Sequence, residues 1–240
     1  MSFIHSLFNS HVNLNYIGMT DWDSHILPGA DNGIQSIRDS LEVLSTYEEL
    51  GINEVWLTPH IKAGTQYSTS ELKTGIAILR AAYYGKIKLH LAAEYELDIQ
   101  LSRILKSQEI LPIGAAENTI LINVSSFMER TCFENAINSI KAAGYIPLIS
   151  HPECCGYADS LSMYKQWKSL GCKFMLSLLS IGGHYGAIAK KYAYELLSHN
   201  MYEYISTNIH DISELEYLKT IQLTKTIAEK IQILIDRNKY

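Results

Sequence analysis

Seven short apolar runs are spaced along the chain, and six of them end at a residue that can bind a metal ion or support a bound one. Each run has the length of a buried strand and is followed by turn and helix signals. The polar residues at or near the six ends are His25, His60, Glu94, Asn123, His151 and His210. Because the carboxyl ends of parallel strands meet on one face of a barrel, we expect these side chains to lie together. That face is the candidate site.

Helical patterns alternate with these runs. The predicted strands cover 20–25, 52–58, 89–95, 119–124, 145–150, 172–179 and 202–209. The predicted helices cover 37–50, 70–84, 133–143, 161–170 and 187–199, and the segment Leu215–Lys239 is helix-like throughout. Alternation of this kind selects an α/β fold with parallel strands, and about seven strands favour a distorted (β/α)7 TIM-like barrel.

An open, doubly wound sheet is the alternative architecture. Its usual phosphate-binding loop needs a particular glycine spacing after the first strand, and Gly29 and Gly33 do not have it. The 240 residues suffice for one barrel-sized domain. We therefore expect an N-terminal extension over residues 1–17 and a single barrel domain over 18–240 that includes a C-terminal helix.

Composition excludes several classes of function. A net charge of −5 gives no basic footprint for duplex nucleic acid. The four cysteines form neither a metal-binding C-x₂-C pair nor a secreted disulfide framework, which favours a reducing, cytoplasmic location. Residues 1–20 have no continuous apolar core, and no later run approaches eighteen apolar residues, so neither export nor a membrane span is expected.

The positions of the histidines point to a metal site. A single histidine is more often a structural residue than a ligand, but four of the nine fall at the ends of four different predicted strands. Imidazole suits zinc, manganese or iron, and the carboxylate of Glu94 can bridge two ions. His184 lies in a glycine-flanked loop, where a substrate contact and a plain surface turn are both open.

These residues carry a resemblance that covers the chain from about Asn13 to Leu223. The sequence resembles the manganese-dependent tyrosine phosphatases of capsule and exopolysaccharide operons, the CpsB/CapC type, within the polymerase and histidinol phosphatase (PHP) superfamily. Asp21 to Gly33 resembles the family pattern D-x-H-x-H-x-L-P-G-x-D-D-G. The other matching stretches are Thr58-Pro59-His60, Ala93-Glu94-Tyr95, His151-Pro152-Glu153 and Asn208-Ile209-His210.

The resemblance implies a fold, a cofactor and a partner. The fold is a distorted seven-stranded β/α barrel with up to three divalent ions at the carboxyl ends of its strands. The activity is hydrolysis of phosphotyrosine, on the tail of a cognate capsule-assembly kinase, by a metal-activated water. The metal positions that carry over unchanged are His25, His60, Glu94, His151 and His210. No side chain is assigned as a catalytic residue.

The chain departs from the family pattern at four metal positions. The first histidine of the pattern is Asp23 here, which is still a possible ligand. Carboxylates of the pattern are replaced by amides at Asn32, Asn123 and Asn208. A family arginine expected to meet the phosphate is Cys154. Lys62, two residues beyond His60, is a candidate for part of that positive charge, the alternative being a solvated loop residue.

The substitutions weaken the expected metal cluster. Two divalent ions about 4 Å apart repel by roughly 16 kcal/mol at an effective dielectric constant near 20. Carboxylates offset that repulsion, and an amide oxygen brings no negative charge. The carboxylates fall from four in the family pattern to two, Asp23 and Glu94. The hypothesis is that one divalent ion, at most two, binds with weakened affinity, the ion being Mn, Fe or Zn.

Two functions from different classes follow. One is a pseudoenzyme that keeps the pocket and binds a phosphorylated kinase tail with impaired or lost hydrolysis. The other is an active metal-dependent phosphotyrosine phosphatase that works with one or two ions. A purely structural barrel is the least favoured reading, because random loss would not spare five ligands.

Overall fold

The computed structural model describes residues 11–64, 68–107, 109–116, 118–124, 129–156, 158 and 160–239. Residues 1–10 of the expected N-terminal extension lie outside this part of the chain. The strands are β1 (His11–Asn13), β2 (Thr20–Ser24), β3 (Glu54–Leu57), β4 (His60–Ile61), β5 (Lys88–Leu91), β6 (Glu94–Glu96), β7 (Thr119–Asn123), β8 (Ile146–Ile149), β9 (Lys173–Ser177), β10 (Tyr204–Ser206) and β11 (Gln222–Thr224).

Helices connect most of these strands. They are α1 (Ile37–Leu50), α2 (Thr69–Ala82), α3 (Ile99–Ser107), α4 (Arg130–Ala142), α5 (Leu161–Ser169), α6 (Leu178–Gly182), α7 (Gly186–Ser198), α8 (Ile212–Thr220) and α9 (Lys225–Arg237), with a 3₁₀ turn at Pro152–Cys154. Local signals set several ends. The Ser36 side chain accepts a hydrogen bond from the Asp39 amide at the start of α1, and Gly51 ends that helix in a left-handed conformation. None of the described helices is long and apolar enough to cross a membrane.

Two parallel sheets form the centre of the molecule. Within the described residues, one sheet has the strand order β10-β9-β8-β7-β6-β4 and the other has the order β2-β3-β5. Backbone hydrogen bonds join the two sheets on one side, from Asn208 to Asp23 (3.0 Å) and from His25 to Ile209 (2.9 Å). They also join them on the other, where the amide of Glu94 donates to the carbonyl of Pro59 (3.1 Å). A parallel α/β fold is therefore confirmed.

The structure corrects three predicted elements. The strand predicted over 89–95 is two strands, β5 and β6, separated at Ala92 and Ala93. The run from Val55 to His60 is likewise divided between β3 and β4. The number of seven strands consequently stays a prediction. The continuous helix predicted over Leu215–Lys239 is wrong, because β11 interrupts it. Leu223 is fully buried and β11 pairs with β1, so packing overrides helix propensity there.

The sheets are buried on both faces. The larger apolar core lies between the strands and the surrounding helices. A smaller interior cluster lies on the enclosed side of the strands and contains Trp22, Trp56, Ala92, Ile113, Leu121, Leu148 and Met175, with Tyr204 packed against it. The Trp22 and Trp56 rings stack with centroids 5.7 Å apart. Beyond this cluster, toward the carboxyl ends of the strands, buried side chains such as Glu94 and Ser150 are polar.

The buried carboxyl group of Asp21 on β2 forms hydrogen bonds with the residue that follows β10. Asp21 is fully buried and accepts hydrogen bonds from the Thr207 amide (2.7 Å) and hydroxyl (2.6 Å). Burial raises the pKa of Asp21 to about 7, more than the two hydrogen bonds lower it. The folded protein therefore holds a proton on Asp21 at pH values where the unfolded chain has lost it.

This shift predicts a pH-dependent loss of stability. Asp21 should stabilise the fold most below pH about 4, and its contribution should fall as pH rises to about 7, by at most roughly 4 kcal/mol. Asp21→Asn mimics the protonated group and should remove this dependence. Urea unfolding of both proteins between pH 4 and 8 measures the difference, and a difference that does not change with pH would contradict the assignment.

Candidate metal centre

A layer of polar side chains follows the interior cluster at the carboxyl ends of the strands. Side chains on a strand alternate between its faces, so the residue two positions beyond each interior apolar residue faces the same enclosed side. The residues reached in this way from Trp56, Ala92, Leu121, Leu148, Met175 and Tyr204 are Thr58, Glu94, Asn123, Ser150, Ser177 and Ser206, and all but Asn123 are buried. On β2 the register shifts between Asp21 and Ser24, and Asp23 is the residue whose ligand atom lies near that of Glu94. Strand alternation therefore places Glu94 at the centre of a polar layer.

The Glu94 carboxylate lies close to the rings of three histidines. Its Oε2 atom lies 2.7 Å from His60 Nδ1 and 3.4 Å from His25 Nε2. Its Oε1 atom lies 3.6 Å from His151 Nε2 and accepts a short hydrogen bond from the Ser150 hydroxyl. The Glu94 carboxylate is completely buried, so these contacts are shielded from solvent.

Two overlapping groups have the spacing of metal ligands. Asp23, His25 and Glu94 each offer one ligand atom, and these atoms lie within 4.8 Å of one another. The same holds for His25, His60 and His210. The two groups share His25, whose ring stacks against that of His210 at 3.9 Å. His151 touches Glu94 but belongs to neither group among the described residues.

The side chains of the first group fit a cation. Asp23 Oδ2 and His25 Nε2 are buried and have no hydrogen-bond partner in the described part of the chain, and Glu94 Oε2 lies 3.4 Å from that His25 nitrogen. Such atoms are costly in a folded protein unless an ion or water satisfies them. A hard or borderline divalent ion takes one imidazole and two carboxylates readily. The donor set thus suits one ion held by Asp23, His25 and Glu94.

Burial and the close approach of charged groups shift the pKa values of the site residues. Burial and the neighbouring Glu94 raise the pKa of Asp23 to about 6. Burial alone would lower the pKa of His25, but the hydrogen bond to Asp31 and the nearby carboxylates outweigh it and raise the pKa to about 9. Burial and the positive charge near His25 and His60 lower the pKa of His210 to about 3.

Asp31 is a site residue that the sequence analysis did not single out. Its Oδ2 atom lies 2.7 Å from His25 Nδ1 and accepts from the His60 backbone amide at 2.9 Å. The contact orients the His25 ring so that Nε2 faces Asp23 and Glu94, as carboxylates behind metal-binding histidines do. Its place inside the Asp21 to Gly33 motif was the available signal.

Backbone strain is concentrated in the site. Within the described chain, the non-glycine residues with positive φ are His151 (29°), Asn200 (53°) and Asn208 (56°). Two of the three are site residues. Such conformations cost of order 1–3 kcal/mol and persist where the surrounding structure holds them. Two of the unusual backbone conformations thus occur just beyond the carboxyl ends of β8 and β10, at site residues.

The three amides border a cavity of about 810 Å³ that opens beside the histidines. Asn32, Asn123 and Asn208 all line it, together with His60, His151, His210 and the side of α7. The three amides are thus near the candidate centre, and Glu153, Asp211 and Glu214 line the same cavity. The carboxylates within the two ligand groups are Asp23 and Glu94.

The two proposed phosphate contacts lie elsewhere. Neither Lys62 nor His184 is among the described residues that line this cavity. Lys62 is exposed, and His184 Nε2 lies 3.5 Å from Glu214 Oε1. His184 also packs on the Tyr217 ring. Glu214 does line the cavity, so His184 is one residue removed from it.

The fold and the site together define an α/β protein with a candidate divalent-metal centre at the carboxyl ends of its parallel strands. The family model described as "Capsular polysaccharide synthesis, CpsB/CapC" matches residues 19–230. The chain belongs to the CpsB/CapC family.

Named relatives agree with this assignment. The chain is 22% identical to the tyrosine-protein phosphatase YwqE of Bacillus subtilis over 199 residues, which are 81% of this chain and 78% of that protein. It is 24% identical to CapC of Staphylococcus aureus over 207 residues, 83% of this chain and 80% of that protein. Membership in the family is thus supported over most of both chains.

Solved structures give the same fold. The structure work on YwqE from Bacillus subtilis and CpsB from Streptococcus pneumoniae, which describes unique metal-dependent tyrosine phosphatases, matches with a TM-score of 0.74 at 19% identity. The match covers 91% of this chain and 95% of that one. A phosphotriesterase homology protein from Escherichia coli matches with a TM-score of 0.52 at 10% identity, over 90% and 92% of the two chains.

Proposed function

We propose that this protein binds phosphotyrosine in the cavity beside its metal centre and hydrolyses it poorly or not at all. The observation that carries the proposal is the neutral amide at three cavity positions, with Asp23 and Glu94 as the carboxylates of the two ligand groups. One ion, or at most two, would bind at Asp23, His25 and Glu94 with His60 and His210 beside them. His151 contacts Glu94 and completes the proposed ligand set.

The relatives suggest the partner and the setting. Several are named as tyrosine phosphatases, and the family is one of capsular polysaccharide synthesis. The proposed ligand is therefore the phosphorylated tyrosine tail of a capsule-assembly kinase, met in the cytoplasm. We also propose one barrel domain over 18–240, with the two sheets forming the seven-stranded barrel of the family.

The chemistry that a bound Mn, Fe or Zn ion would supply is a water of lowered pKa and stabilisation of negative charge on the phosphate. The residues of the chain hold and orient that ion. Asp31 fixes the His25 ring, Ser150 donates to Glu94, and Thr58 donates to Asp23. No lysine or arginine appears among the described residues that line the cavity.

An active phosphatase is the alternative function. The convergence of Asp23, His25 and Glu94 on one ligand position favours it, because that group remains complete. Elemental analysis of the purified protein, with a phosphotyrosine assay in added manganese, separates the two. Less than about one ion per chain with no turnover supports the binding protein. Two or more ions with turnover would overturn the charge argument.

Chelation should change the melting temperature little. The crowded carboxylates of a multi-metal site repel one another without ions, and neutral amides remove much of that repulsion. The contacts of Glu94 with His25 and His60 also hold the centre together without an ion. Thermal unfolding with and without EDTA tests this, and a large fall in melting temperature would reveal tightly held metal.

A further inference from the structure

The cavity beside the metal centre carries unused hydrogen-bond donors. Asn32, Asn123, Asn208 and the Tyr185 hydroxyl group all border it. A carboxylate at such a position offers only acceptors, whereas an amide also offers two N–H groups. Whether this side of the cavity favours an anion or a cation therefore depends on how many of these donors already form hydrogen bonds within the protein.

Asn208 and Tyr185 keep two donors between them. The Asn208 Nδ2 atom donates to the Tyr185 hydroxyl oxygen at 2.9 Å. This leaves the second Asn208 N–H and the tyrosine O–H, for which no other partner occurs among the described residues. If the oxygen and nitrogen of the Asn208 amide are exchanged, the Tyr185 hydroxyl group donates to the amide oxygen, and both N–H groups of Asn208 are free to donate. Either orientation leaves two donors.

An aspartate at position 208 would reverse this property. The Tyr185 proton would go to the carboxylate, and the pair would then offer lone pairs only. Such a pair suits a cation. The pair with asparagine instead suits an anion, because it keeps two hydrogen atoms to donate and both residues border the cavity. Asn208 is 3% exposed, and its Oδ1 atom is buried without a partner among the described residues. Exchange of the amide oxygen and nitrogen places an N–H group at that position, where an anion can accept from it.

The side-chain amides of Asn32 and Asn123 also have donors that no described residue accepts. Neither Asn32 nor Asn123 makes a side-chain hydrogen bond to another described residue. Asn123 extends the polar layer at the end of β7, and Asn32 precedes Gly33 in the loop that orients His25. Three amides and one hydroxyl group thus border the same cavity with donors available.

The acidic residues of the cavity wall are engaged within the protein. The Glu153 oxygens accept from the Ser177 amide (3.1 Å) and the Tyr202 hydroxyl (2.9 Å). Glu214 accepts from the His210 amide at 2.6 Å. Asp211 accepts from the Glu214 amide at 2.9 Å and caps α8. These bonds reduce the repulsion that the carboxylates would exert on an anion.

We propose that Asn32, Asn123, Asn208 and Tyr185 form an oxyanion subsite that binds the phosphoryl group of an aryl phosphate directly, with no metal ion between them. This inference rests on the proposed function and deepens it. The apolar side of the cavity, with Ile188, Ala189 and Tyr192 on α7, takes the aryl ring. Substitution of carboxylates by amides has then exchanged a cation-binding wall for an anion-binding one.

The test is calorimetric titration of the full-length, EDTA-treated protein with phenyl phosphate. Binding should persist without metal, and phenol should bind more weakly because it lacks the phosphoryl oxygens. Asn208→Asp should weaken the metal-free affinity by at least about tenfold, since it adds charge and consumes the tyrosine proton. Tyr185→Phe should weaken it roughly three- to tenfold.

A double-mutant cycle measures the contribution of the Asn208–Tyr185 contact to binding. In an Asn208→Asp background, Tyr185→Phe should cause little further loss, because the hydroxyl proton is already consumed. Asn53→Asp changes the charge equally at an exposed site, and Tyr194→Phe removes a hydroxyl group on α7 away from the cavity wall; both should bind like the unmodified protein. Circular dichroism verifies that each variant is folded.

Two outcomes would overturn the subsite. One is that phenyl phosphate binds only after manganese is added, and the other is that Asn208→Asp binds it equally well without metal. Either result leaves the proposed function standing if the manganese-loaded protein still binds a phosphotyrosyl peptide. Conversely, metal-free binding of phenyl phosphate without any binding of that peptide would retain the subsite and reject the proposed ligand.

Discussion

Glu94→Gln is expected to destabilise the metal-free protein by about 3–5 kcal/mol and to abolish metal binding. The carboxylate is fully buried and contacts His25, His60 and His151, so its neutralisation leaves buried imidazoles without their counter-charge. For a chain of this size, that loss corresponds to a melting temperature lower by roughly 6–20 °C. Thermal unfolding in EDTA gives the first effect, and elemental analysis gives the second.

Glu96→Gln is the matched control. Glu96 lies on the same strand, two residues further on, and is half-buried outside the histidine cluster. Its substitution should change the melting temperature by only a few degrees and leave metal content unaltered. Equal effects of the two substitutions would show that Glu94 acts through general packing and not through the histidines.

Restoring the family pattern should produce a multi-metal site. The variant Asp23→His, Asn32→Asp, Asn123→Glu and Asn208→Asp raises the carboxylates around the centre from two to four. It should bind at least two manganese ions per chain and gain phosphatase activity, because each added charge offsets the repulsion between dications. Without metal it should melt at a lower temperature than the unmodified protein, since those carboxylates then repel one another.

The control for this variant carries the same net charge change at exposed positions. Asn53→Asp combined with Asn200→Asp adds two negative charges away from the centre, as the restored pattern does overall. It should gain neither metal nor activity. A restored variant that is folded but takes up no manganese would show that the barrel has drifted from the geometry of its relatives.

The sequence predicted that the site residues lie close together, because the ends of the strands can be recognised from the residue pattern. Runs such as Val55 to His60 and Leu91 to Glu94 end in polar residues, and parallel topology brings those ends together. The structure places Asp23, His25, His60, Glu94 and His210 within ligand distance of one another in two groups. Their role as metal ligands remains a prediction.

Other parts of the site depend on contacts between distant residues, which a single sequence does not reveal. Asp31 joins His25 and His60 only because the loop after β2 turns back at Gly33, where a Cβ atom would lie 2.1 Å from the His25 carbonyl oxygen. The Asn208–Tyr185 pair joins α7 to the end of β10. Asp31 could be found through its place in the Asp21 to Gly33 motif, whereas the Asn208–Tyr185 contact has no local sequence signature.

The same limit explains the error at β11. α3, which was not predicted, is a different case, because local signals for it exist: Leu101, Ile104 and Leu105 recur at helical spacing, and the Asp98 carboxylate accepts from the Leu101 amide (3.2 Å). β11 exists because Leu223 is buried and its backbone pairs with β1 more than 200 residues earlier. Long-range pairing of this kind outweighs the helical propensity of the surrounding segment.

The stacked indoles of Trp22 and Trp56 lie on the enclosed side of the strands. They fill interior space behind the candidate centre, whereas the cavity beside the histidines opens along α7. We therefore expect a phosphotyrosyl ligand of the kind proposed above to arrive and leave on the α7 side. Its residence time would then depend on contacts at that opening and not on passage between the strands.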